Sequence, residues 1–157
     1  MCNANYESGD LCWIDFSLGW NGYRTDYCRA SVVGGPSRKQ SDLWNKVNEI
    51  LLAGFGAAMA GNTAAAIARV EIDTAMALGL DMDTWLARRY GHGSGIRTTE
   101  PPSVSLTDET RLVPGMVIHL EPGVISDDGI YVREEMILVT DSEPEWLSKS
   151  PWKLGSL

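Results

Sequence analysis

The segment "LCWIDFSLGWNGYRTDYCRASVV", residues 11–33, sets how the rest of the chain is read. Residues 11–18 and 23–33 read as two strands, and Gly19 to Gly22, "GWNG", supplies hairpin-turn chemistry between them. Each strand nevertheless carries an aspartate, Asp15 and Asp26, although strands disfavour that residue. A hairpin sets the two positions side by side, and two buried carboxylates do not both ionise without a counter-charge.

Outward from the hairpin, "GGPS" punctuates the chain, and Ser37 with Gln40 forms a capping box. The helix this predicts carries Leu43, Trp44, Val47, Ile50, Leu51, Phe55 and Ala58 on one stripe, with Gly61 as its stop. A second, alanine-rich helix is predicted from Thr63 to Leu78, with Gly79 past its end. Residues 82–90, "MDTWLARRY", read as a short third helix or a connection. Two more strands are predicted at 115–123, "GMVIHLEPG", and 129–140, "GIYVREEMILVT", joined by "ISDDG", and the tail from Pro144 reads as a closing peptide. Strands and helices are segregated, which indicates an α+β fold with a mostly antiparallel sheet. Little chain precedes the first strand, so its outer edge and face are expected to lack cover.

At 157 residues, 44% hydrophobic and 22% charged, the chain has the composition of one soluble globular domain. Its net charge of −8 repels phosphate backbones, which argues against nucleic-acid binding. The apolar runs are too short to span a bilayer, and the polar start lacks a signal-peptide pattern. Cys2, Cys12 and Cys28 do not all pair and have no zinc-site spacing, so they read as reduced thiols in a cytoplasmic protein, with Cys28 as buried filler.

The strand-hostile residues recur. Glu121 lies in "VIHLEPG", Glu134 and Glu135 in "VREEMILV", and His92 stands between Gly91 and Gly93. Singly, each has a bland reading as an edge or loop residue. Jointly they point to one cause, divalent cations that neutralise the carboxylates. Oxygen-rich ligation with one nitrogen suits Mn²⁺, Co²⁺ or Fe²⁺ better than a structural zinc. The glycines beside His92 are expected to let the backbone pass close to metals and substrate.

Four stretches in order then resemble the pita-bread metallopeptidases, the methionine aminopeptidase, prolidase and creatinase superfamily. "DFSLGWNGYRTDYCR" is similar to its "D-x-G-x-x-Y-x-G-Y-x-S-D-x-x-R", "GHGSG" to "GHGIG", "LVPGMVIHLEPGV" to "L-x-PGMVFTIEPG", and "VREEMILVT" to "RIEDTVLVT". The Xaa-Pro aminopeptidase and dipeptidase branch is nearest. The resemblance implies that residues 1–157 are the C-terminal, metal-binding catalytic part of a pita-bread domain, incomplete at its N-terminus. It implies two divalent ions, Mn²⁺ or Co²⁺ first and Fe²⁺ or Zn²⁺ as alternatives. Asp15 would chelate one, Asp26 and Glu134 would bridge both, and His92 and Glu121 would hold the other. Aligning "EEMILVT" on "EDTVLVT" selects Glu134 and turns Glu135 outward. A hydroxide bridging the ions would attack a peptide or amide carbonyl, and Glu121 would move a proton toward the leaving amine. A prolidase-like homodimer is part of the same implication.

The chain departs from the pattern at Thr99, seven residues after His92, where the family carries a second histidine that contacts the substrate carbonyl. Threonine donates a hydrogen bond but does not become a cation, and loss of such a donor costs about 10²–10³ in rate. His119 is a candidate replacement, because it shares Glu121's face on a strand, and packing beneath the site is the equal alternative. Two other functional readings stand beside the peptidase. One is a metal enzyme acting on a small non-peptide metabolite, creatinase-like or dimethylsulfoniopropionate-lyase-like. The other is a non-catalytic binding module or an inactive fragment. Arg88 and Arg89 read as a solvated helix end, Arg97 as a surface residue, Trp44 and Phe55 as core, and Trp20 as an exposed turn aromatic.

Overall fold

The structure, a computed structural model, describes residues 5–80 and 89–157. In the hairpin, β1 (Leu11–Phe16), β2 (Gly19–Trp20), β3 (Tyr23–Arg24) and β4 (Tyr27–Val32) form two successive ladders, β1 with β4 and β2 with β3. Asn21 and Gly22 close the tip at φ 49° and 87°, the left-handed conformations a two-residue hairpin turn needs. The two long strands expected here are therefore broken. Between the ladders, Thr25 N–H donates to the Leu18 carbonyl and Leu18 N–H to Thr25 Oγ1, so a side chain replaces one rung. Asp15 keeps its place in β1 opposite Cys28, while Asp26 sits in the break directly before β4.

The capping box forms: Gln40 N–H donates to Ser37 Oγ at 3.2 Å, and Gln40 Oε1 accepts from Ser37 N–H at 2.9 Å. It starts α1 (Arg38–Ala57), which buries Trp44, Val47, Ile50 and Leu51. The helix stops before Gly61, because Ala58 leaves helical geometry; Gly61, at φ 90°, turns the chain toward the next helix instead. Thr63 caps α2 (Ala64–Ala77), and Gly79 follows its end at φ 73°. The two helices cross closely at Gly54, where an added Cβ would strike the Glu71 carboxylate. The proposed third helix lies, apart from Arg89 and Tyr90, outside the described residues.

Then follow β5 (Gly91–Gly93), β6 (Glu100–Ser103), β7 (Val117–Leu120), β8 (Gly123–Ser126), β9 (Gly129–Val132), β10 (Glu135–Leu138), β11 (Glu145–Trp146) and β12 (Gly155–Ser156). An antiparallel sheet runs in the order β11-β10-β7-β5-β6, β8 and β9 make a hairpin, and β12 joins β4 in parallel. The tail thus does close the structure, on both sheets. The strand expected at 129–140 is split, with Arg133 and Glu134 lying between β9 and β10. The core gathers α1, α2 and the inner faces of β4, β7 and β10. Trp13, Ile14 and Phe16 on β1 are exposed. Among the described residues, no helix is long and apolar enough to cross a membrane.

Candidate metal centre

Three strands position His92. β5 lies between β7 and β6, with His92 opposite His119 on one side and Ser103 on the other, and a bulge in the β6 pairing follows at Gly93. Its flanking glycines answer a steric need: a Cβ at Gly91 would meet the His119 carbonyl, and one at Gly93 the Pro101 carbonyl. The close approach they permit here is to neighbouring backbone.

His92 Nδ1 lies 3.0 Å from the Gly93 carbonyl, an acceptor, so Nδ1 carries the hydrogen and Nε2 presents a lone pair. That Nε2 faces Asp26 Oδ2 at 3.8 Å and Glu134 Oε1 at 3.6 Å. One ligand atom each from Asp26, His92 and Glu134 lies within 4.8 Å of the others, a spacing that fits a metal ion. His92 and Glu134 are buried and Asp26 is largely so.

Asp15, which is exposed, and Glu121 lie outside this triad and are linked to it by charge. Burial, and then the Glu134 charge, raise the proton affinity of Asp15, against a hydrogen bond with Asp26 that lowers it. Asp26 is pushed up to about 6 by burial and by the charges of Glu134 and Asp15. Burial also raises Glu121, and Arg89 opposes it. In Glu134, burial is outweighed by contacts with His119 and His92, which hold its carboxyl below the usual range. Burial works against protonation of His92, but Glu134 and the Gly93 carbonyl prevail and raise its pKa. Asp15, Asp26, Glu121 and His92 are thus each linked electrostatically to Glu134.

The remaining candidates separate. Thr99 is exposed and lines a pocket of about 240 Å³ with Arg89, His92, Glu100, Pro101, Ser103 and Asp108. His119 has no exposed surface; its Nε2 is 2.9 Å from Ser94 Oγ and its Nδ1 is 3.2 Å from Glu134 Oε1. Two residues were misread from the sequence. Arg89 is no solvated helix end: its Nε and Nη2 each reach Glu121 Oε1 at 3.1 Å. Glu135 does turn to the other face of its strand, yet it is buried there, because Arg133, Arg29, Ser148 and Ser150 enclose it. A strand-hostile arginine beside two glutamates was the available signal for that network.

The donor set fits a divalent cation. Glu134 Oε1 is buried without a well-aligned hydrogen bond, and when the His92 ring is neutral, His92 Nε2 and Glu134 Oε1 are two lone-pair-bearing groups that point at each other. Neutral hydrogen bonding does not satisfy two acceptors that face one another, whereas a cation does.

Residues 2–141 match the family described as Metallopeptidase family M24. The Xaa-Pro dipeptidase of Pyrococcus furiosus is 34% identical over 149 residues, which are 94% of this chain and 42% of that protein. The solved prolidase from Pyrococcus furiosus superposes with a TM-score of 0.84 at 34% identity, covering 92% of this chain and 43% of that one. The X-Pro aminopeptidase from Thermotoga maritima superposes with a TM-score of 0.88 over 96% of this chain and 42% of that one; at 24% identity it shows the shared pita-bread fold alone. The chain spans about two fifths of the length of the curated relatives it matches.

Proposed function

This chain belongs to metallopeptidase family M24, and from that premise we propose that it carries the dinuclear metal centre of a hydrolase acting on peptides with proline after the scissile bond. The observation that supports this best is the buried convergence of Asp26, His92 and Glu134, with a Glu134 oxygen short of a donor. Asp15, Asp26, His92, Glu121 and Glu134 hold two divalent ions, Mn²⁺ or Co²⁺ by the oxygen-rich donor set, with Fe²⁺ or Zn²⁺ as alternatives. Such ions, when bound, polarise a carbonyl and lower the pKa of water to near neutrality.

The chain's own groups do the rest. His92 is aimed by the Gly93 carbonyl. Glu121, whose proton affinity burial raises, holds a proton toward the leaving amine, and Arg89 fixes the carboxylate that does so. Thr99 donates a hydrogen bond to the substrate carbonyl from the pocket that His92 also lines. The relatives named as Xaa-Pro dipeptidases support the proline-peptide substrate, and the free thiols Cys12 and Cys28 suit a cytoplasmic setting. A homodimer belongs to the same reading.

Thr99 also favours a second reading, in which the same centre acts on a small non-peptide metabolite, since a neutral donor stabilises an oxyanion less than an imidazolium does. Metal analysis paired with hydrolysis of an Xaa-Pro dipeptide tests both. Two ions per chain with turnover that chelation abolishes is the expected result. Two ions without turnover transfers the case to the second reading, and a chain that takes up no Mn²⁺ or Co²⁺ overturns both.

A further inference from the structure

His119 sits where the chain departs twice from the pattern it otherwise resembles. The motifs "GHGIG" and "PGMVFTIEPG" have isoleucine and threonine where this chain has Ser94 and His119. The two departures touch: His119 Nε2 is 2.9 Å from Ser94 Oγ. On its other side, His119 Nδ1 is 3.2 Å from Glu134 Oε1, and among the described residues no other group hydrogen-bonds either atom. The Nδ1–Oε1 contact is close but not well aligned, a geometry that a small rotation of the carboxylate improves. The ring itself is fixed. It stacks on His92 with centroids 5.0 Å apart, and its backbone pairs with His92 on β5 and Met136 on β10.

Hydrogen-bond chemistry allows one consistent assignment. An ionised carboxylate only accepts, so His119 must present Nδ1–H to Glu134. Nε2 is then the acceptor, and the Ser94 hydroxyl donates to it. His92 has the opposite arrangement: its Nδ1 is committed to the Gly93 carbonyl, which leaves Nε2 as a lone pair facing the same Glu134 oxygen. The two stacked imidazoles thus divide the work at one oxygen, one offering a lone pair and the other a hydrogen.

We propose that His119, set by Ser94, is a positioning residue that orients the Glu134 carboxylate to receive a divalent ion; this rests on the metal centre proposed above. Partners of this kind are worth about 10–100-fold in metal affinity.

The test titrates Mn²⁺, followed by calorimetry, and Co²⁺, followed by its visible absorption, into the metal-free full chain. His119→Gln keeps an amide near the Nε2 position and removes the donor at Nδ1; it is expected to weaken binding about 10–100-fold and to change the Co²⁺ spectrum. His119→Asn places an amide N–H near Nδ1 and is expected to restore most of that affinity. Ser94→Ala frees the tautomer and should fall between them. Equal losses in the asparagine and glutamine variants, or an unchanged affinity in the glutamine variant, overturn the proposal. A wild-type chain that binds neither ion fails earlier and removes the metal reading itself, whereas wild-type binding with indifferent variants removes only the role of His119. Should the variants not fold, nitrogen NMR of the two wild-type histidines decides without them. Hydrogen on His119 Nδ1 is expected, and hydrogen on Nε2 overturns the assignment.

Discussion

Glu134 and Glu135 are neighbours, each is 2% exposed, and their surroundings could hardly differ more. Strand alternation sends them to opposite faces. Glu135 meets two arginines: Arg133 Nη2 at 2.6 Å and Nε at 2.9 Å, and Arg29 Nη2 at 3.0 Å. Ser148 and Ser150 also donate to it. Arg133 is itself held by Asn48 at 2.9 Å and by the Trp152 ring, 3.9 Å from its guanidinium carbon. The Glu134 carboxylate faces two imidazoles, and among the described residues one of its oxygens has no hydrogen-bond partner, while Arg29 reaches only the Glu134 backbone carbonyl, at 2.6 Å. A buried carboxylate that the protein neutralises fully is part of the scaffold. Glu134, with imidazoles in place of guanidinium groups, is the carboxylate that the proposed metal centre uses.

The contrast breaks most directly by mutating each side. Glu134→Gln should abolish uptake of one or both ions and cut Xaa-Pro hydrolysis by about a thousandfold, while the metal-free chain melts no lower than wild type. Metal content and thermal melting, measured together, check it. Glu135→Gln should do the reverse. Removing one partner of a buried pair costs about 3–5 kcal/mol, and at roughly 2–4 °C per kcal/mol for a chain of this size the loss is plain in a melting curve. Metal stoichiometry should survive wherever the variant is folded. If the two variants have the same profile, the distinction between scaffold and receptor fails.

Glu71 sharpens the comparison, because it has neither kind of compensation. It is wholly buried, both of its oxygens lack partners among the described residues, and it lies against Gly54. Gly54→Ala forces that carboxylate to move, and overpacking of this sort costs about 1–3 kcal/mol, again readable by thermal melting. Burial, helped by the Glu121 charge, raises the Glu71 pKa well above the ordinary carboxylate value. The unfolded chain ionises it near the usual value of about 4.3. Its contribution to stability is therefore full below that pH and declines as pH rises toward the folded pKa. Glu71→Gln removes the decline. At pH 7 to 8 it should raise the melting temperature by about 2–4 °C, corresponding to roughly 1 kcal/mol, with no gain at pH 4. A gain independent of pH would assign the effect to packing.

Local chemistry was legible in the sequence. Ser37 and Gln40 announced α1, Asn21-Gly22 announced a hairpin tip, and the out-of-place Asp26 pointed to a cluster that it forms with His92 and Glu134, since each rests on near neighbours or on a residue type out of place. What depended on distant partners was not. Arg89 reads as solvated until folding brings Glu121, 32 residues away, against it. Glu135 reads as outward-facing until Arg29 and Ser150 close over it, from 106 and 15 residues away. The long strands were overread because Thr25 and Arg133–Glu134 interrupt ladders that composition alone would continue.

The two glycines around His92 carry a consequence for how this centre tolerates change. With main chain pressed against them from β7 and from β6, the backbone that carries the imidazole has little room to shift. Its aim is a property of three strands together. In the proposed centre a different ion radius would therefore be accommodated by the carboxylates on the hairpin and on the 133–134 break, with the His92 nitrogen as the fixed point.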